Sequence, residues 1–156
     1  MADAILGLNC KAYYQTTGTR AAWPASGTAP NLSEITNIRD VTLNLEKGES
    51  DVTTRGGSGW RQTKGTLKEG SVEFEMVWDS EDAAFTAIKE AYMNGTTIAC
   101  AFLDGESDTA GSQGLWADFD VINFSRNEAL EEAVKVSVTL KIAYSAVSPE
   151  WVTVGT

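Results

Sequence analysis

Val41-Thr-Leu-Asn-Leu45 and Ser71-Val-Glu-Phe-Glu-Met-Val-Trp78 are the two stretches that decide the fold. In the first, Val41, Leu43 and Leu45 share a face. In the second, Val72, Phe74, Met76 and Trp78 alternate with Glu73, Glu75 and Val77. A period of two predicts strands that bury one face and wet the other. Between them, residues 47–65 are polar and glycine-rich and are expected to form a long loop, with a short strand inside 51–55. Loops of that length within a domain are usually functional or ordered by a partner.

Further along the chain the same period recurs. Residues 4–14 read as a strand with Leu8, Cys10, Ala12 and Tyr14 on one side, and 15–34 as an extended, proline-containing connection. Strands follow at 96–103, at 115–124 and at 134–143, where Val134, Val136, Val138, Leu140 and Ile142 alternate with polar residues. One helix is expected after Trp78, capped by Asp79 or Ser80. It carries a Phe85, Ile88 and Tyr92 stripe and stops at Gly95. The tail 150–154 has an apolar pair, Trp151 and Val152, with no evident partner. The expected architecture is a single domain over 1–156, mainly β, a β-sandwich or rolled β-barrel with one α-helix.

Composition narrows the function. With 156 residues, 42% hydrophobic, the chain is long enough for a real core. A net charge of −10, from 22 acidic and 12 basic residues, disfavours tight binding to phosphate or to an anionic membrane. There is no histidine, so the commonest general base and metal ligand is missing. Cys10 and Cys100 read as reduced, packed small residues. No secretory signal and no membrane-length apolar run is visible, which predicts a soluble product made inside the cell.

Chemical motifs fail on inspection. Gly56-Gly-Ser-Gly59 fits neither nucleotide-binding pattern. Asp104-Gly-Glu-Ser-Asp108 lacks the later glycine and glutamate of a calcium loop, so it reads as a solvated acidic turn. Glu73 and Glu75 read as a wet strand face rather than a glycosidase pair. No catalytic, cofactor-binding or metal-binding residue is expected. The surplus lies in large aromatics on irregular segments, Trp23, Trp60 and Trp151, which suits a subunit interface.

The order of parts is strand, Asp51-Val-Thr-Thr-Arg55, glycine-rich loop with Trp60, strand, Trp78-Asp79, then helix. This order resembles the major tail proteins, or tail tube proteins, of long-tailed phages over roughly 5–146. The resemblance implies a structural subunit of the virion tail, made in the bacterial cytoplasm. It implies self-assembly into hexameric rings that stack into a tube and meet other tail proteins. The long loop would reach a neighbour, which makes Asp51, Val52, Thr53 and Arg55 interface candidates beside the three tryptophans. The resemblance also implies an acidic lumen through which DNA passes unbound. Glu73, Glu75, Asp118 and Asp120 are its candidates because they sit on wet strand faces. Two alternatives stand beside this reading: a tube subunit of a contractile injection or secretion system, and a monomeric β-sandwich that binds a ligand.

Overall fold

Strict alternation has its plainest outcome in the seventh strand of the computed structural model, which describes residues 3–15, 20–24 and 32–155. There Val136, Val138 and Leu140 are fully buried while Ser137 and Lys141 are exposed. The strands are β1 (Lys11–Gln15), β2 (Leu32–Glu34), β3 (Ile38–Asp51), β4 (Thr63–Val77), β5 (Thr97–Leu103), β6 (Gln113–Asn127), β7 (Lys135–Ile142) and β8 (Glu150–Thr153). Among the described residues there is one α-helix, α1 (Ala83–Asn94), between β4 and β5. All the pairings are antiparallel, in the order β2-β1-β5-β6-β7-β4-β3, with β8 added to β6.

The sheet rolls up. β4 and β5 have β6 and β7 between them, yet Phe74 of β4 and Phe102 of β5 stand 6.4 Å apart, ring to ring. Inside the roll, Val72, Met76, Cys100, Ala117, Phe119 and the β7 residues form the main core. Helix α1 covers it with Ala84, Phe85, Ile88 and Ala91, and Phe85 meets Trp78 edge-on at 4.8 Å. The helix starts one turn later than expected. Asp79 instead accepts from the Glu81 N–H in a preceding turn, and Asp82 is the cap, accepting from the Phe85 N–H at 2.9 Å. Gly95 ends it at φ +66°, the left-handed stop that the sequence signals. Tyr92 is half exposed and stacks on Phe124.

A second core lies on the opposite face of the sheet. Trp116, Tyr13, Ala101 and Leu103 point there and are covered by Val152 and Val154, with Trp23 and Leu32 at the margin. This overturns one expectation, since the tail does have a partner, β6; Trp116, on the strand face that also carries Asp118, is fully buried there. A covering segment far away in sequence leaves no mark on local periodicity. Three more differences concern the edges. Residues 7–9 form a short 3-10 turn, not a strand, leaving Leu8 and Cys10 exposed. The expected 47–65 loop is strand at both ends, 47–51 and 63–65, since β3 and β4 pair out to Asp51↔Thr63, and the short strand expected inside 51–55 does not form beyond Asp51. Val41 and Leu45 of β3 are also substantially exposed. Much of the 15–34 connection lies outside the described residues.

β5 and β6 pack too closely for a side chain at Gly114, where a Cβ would run into the Phe102 carbonyl. Gly114→Ala should therefore lower stability by about 1–3 kcal/mol or more in urea unfolding. Gly7→Ala, with open space around it, should leave the transition where it is.

Candidate assembly surfaces

β4 pairs with β7 only from Ser71 to Val77, while β3 and β4 continue to pair with each other beyond that point. The remainder is a two-stranded arm. From Glu46 to Asp51 it extends roughly 20 Å, at about 3.3 Å per residue, and every residue of β3 beyond Leu43 is exposed. Such a ribbon, wet on both faces, has little burial of its own to hold it.

Its tip spans 52–62 and is tied by its own hydrogen bonds. The Val52 N–H donates to the Gln62 carbonyl at 2.9 Å, and the Gln62 N–H donates to Thr53 Oγ1 at 2.8 Å. The Thr53 N–H donates to Asp51 Oδ1 at 2.9 Å. Hydrogen bonds from Thr53, its hydroxyl first and its backbone second, hold the Asp51 carboxyl below its ordinary range. Arg55 begins a 3-10 turn (Arg55–Gly57), and Ser58 and Gly59 then take positive φ, reversing the chain. Trp60 follows, 76% exposed. Asp51, Val52, Thr53, Arg55 and Trp60 are thus brought together at one tip.

Trp23 and Trp151 are elsewhere. Trp23 is half-buried within its own subunit, 5.7 Å from Trp116, and its Nε1 donates to the Thr153 carbonyl. Trp151 is 55% exposed, its Nε1 donating to Gln113 Oε1. It borders a groove of about 800 Å³ between β1, β5 and β3, lined also by Leu8, Cys10, Val41, Leu43 and Phe102. The groove exists because β3, an end strand, does not close the roll. Nothing in local periodicity shows where a roll stays open.

The four acids share one face of the sheet. Glu73, opposite Thr139, and Glu75, opposite Ser137, stand on its open part. Asp120 is opposite Lys141, and Arg39 is opposite Glu75, so acids and bases are interspersed there. Asp118 is different. Its side chain is only 13% exposed, accepts from Ser145 Oγ at 2.7 Å and lies 3.5 Å from Arg20 Nε. That last contact is an ion pair without hydrogen-bond alignment.

Sequence reading missed Arg20, which clamps the C-terminal segment. The side chain is fully buried. Nη2 donates to the Ser148 carbonyl at 2.6 Å, and Nη1 donates to the Trp116 carbonyl and to Glu150 Oε1. Among the described residues no cluster of histidine, cysteine or acidic side chains is placed to hold a metal ion, and no helix is long and apolar enough to cross a membrane. Arg20→Ala would leave Asp118 without its cation and free β8, so it should cost about 3–5 kcal/mol. Limited proteolysis should then cut first around 144–155.

The family described as phage tail tube protein matches residues 25–147. No curated protein matches the chain. Among solved structures, a chain of the native gene transfer agent virion superposes with a TM-score of 0.71 at 12% identity, covering 96% of this chain and 99% of that one. A chain from the tail of the empty gene transfer agent particle, refined with C6 symmetry, gives 0.68 at 14% identity, covering 91% and 96%. The SPP1 tail tube gives 0.66 at 19% identity, covering 98% and 80%.

Proposed function

Because the chain belongs to the phage tail tube protein family, we propose that its subunits close into six-membered rings that stack into a hollow tube through the β3–β4 arm. The observation that carries this is the arm itself, a ribbon without internal burial that ends in an exposed tryptophan. A tryptophan at an interface centre typically accounts for 2 kcal/mol or more of binding. The C6 symmetry of the gene transfer agent tail supports the ring number.

The role is structural, not enzymatic, in the virion tail, where the tube would also meet other tail proteins at its ends. Subunits would be made in the host cytoplasm before assembly. The open polar face bearing Glu73, Glu75 and Asp120 is the best candidate for the lumen wall. It is hydroxyl- and amide-rich, and its acids alternate with Arg39, Lys135 and Lys141. DNA would find neither a basic patch nor an apolar one to hold it. Asp118 shares this face but is withdrawn from solvent by Arg20, so it is not a lumen candidate. Trp151 and the adjoining groove offer a further contact for a neighbouring subunit, whereas Trp23 packs against Trp116 and is half-buried within its own subunit.

Negative-stain electron microscopy over a concentration series, with light scattering alongside, tests the reading. The protein should form tubes with a central hole. Replacing 53–61 by a two-residue Asn-Gly turn should leave a folded monomer with an unchanged thermal transition and no tubes. Trp60→Ala should raise the assembly concentration tenfold or more. Tubes of normal length from the shortened arm would remove the arm as the stacking element.

A further inference from the structure

The arm carries like charges directly opposite each other. Glu46 pairs with Glu69 across the ribbon, and on the next rung Lys47 pairs with Lys68. Successive residues of a strand face opposite ways, so the two glutamates stand on one face and the two lysines on the other. The sequence writes this as a mirror, Glu46-Lys47 before the turn and Lys68-Glu69 after it. Like charges set opposite each other destabilise a ribbon, and among the described residues none of the four makes an ion pair.

Toward the tip the pattern inverts. The register places Glu49 opposite Gly65 and Asp51 opposite Thr63, and the Lys47 side chain lies over Gly65. Glu49 and Asp51 therefore share the lysine face. Lys64, opposite Ser50, lies on the glutamate face, as does Gly48, whose missing Cβ would touch Thr66. One face thus reads negative then positive from base to tip, and the other reads positive then negative at the same levels.

We propose that the glutamate face of one arm docks, in the same orientation, on the lysine face of the arm of a second copy of this chain. Glu46 and Glu69 would meet Lys47 and Lys68, and Lys64 would meet Glu49 and Asp51. A contact between two different faces of identical subunits is head-to-tail, which is what propagates a ring or a stack. An arm with both faces of one sign could not do this. The inference rests on the tube reading and adds to it the partner and chemistry of the arm's shaft, apart from its tip.

The test uses the full chain at low ionic strength, where surface charge is least screened. E46K/E69K alone and K47E/K68E alone should each need at least tenfold more protein than wild type to form tubes. An equimolar mixture of the two, or the single chain E46K/K47E/K68E/E69K, should recover assembly, because opposite faces again meet. Unchanged thermal transitions would exclude misfolding as the cause of the single-face defects. Wild-type-like assembly by either single-face variant would overturn the proposal. So would failure of both the mixture and the fourfold swap while wild type assembles. Absence of tubes from wild type at every concentration would instead overturn the tube reading beneath it.

Discussion

Strand β6 is the constraint from which the rest of the subunit follows. Its first half is flanked by β5 on one side and β8 on the other, and its second half by β7. Alternation along it sends Leu115, Ala117, Phe119 and Val121 into the roll and Trp116 into the opposite core. A strand covered on both faces cannot slip register, because a one-residue shift would exchange the contents of the two cores. The irregularity between Val121 and Asn123 falls just past the stretch where both faces are covered. Beyond it the outward face, with Asn123 and Ser125, is polar.

What was legible in the sequence is what that geometry makes periodic. β4, β7 and the helix each bury one side against a single core, so Phe74, Val138 and Ile88 show their faces by spacing alone. The arm was not legible, because a ribbon wet on both faces has no apolar alternation to show, and 47–51 and 63–65 looked like loop. The partner of Val152 lies on β6, a pairing no local window contains. Trp60 stood out as a large aromatic among glycines, and it is exposed because nothing nearby covers it. The face of Asp118 followed from parity, but its burial depends on Arg20, one basic residue in an irregular segment.

The subunit therefore divides its stability unevenly. Two cores hold the roll, and Arg20 fastens the segment that completes the second. The arm is held by ladder hydrogen bonds and the turn around Thr53, with little apolar burial. Local opening should be cheapest there. A part that is loosely held and highly charged gains most from a neighbour, while the cores remain indifferent to whether one is present.

β3 is also an end strand of the sheet, and a long free edge ordinarily invites other chains to pair along it. Here Asp40 takes a positive φ of 36°, and the register shifts twice, between Arg39 and Thr42 and again between Lys47 and Glu49. The first shift puts its extra residue in β3 and bends the free edge near its base, and the second puts its extra residue in β4, so a passing strand meets a bent edge on a twisted ribbon. Casual edge pairing is thereby disfavoured, and growth is left to contacts of defined geometry. The kinetic consequence is a lag: dilute subunits would wait for a first ring, and the wait would shorten as the protein is concentrated.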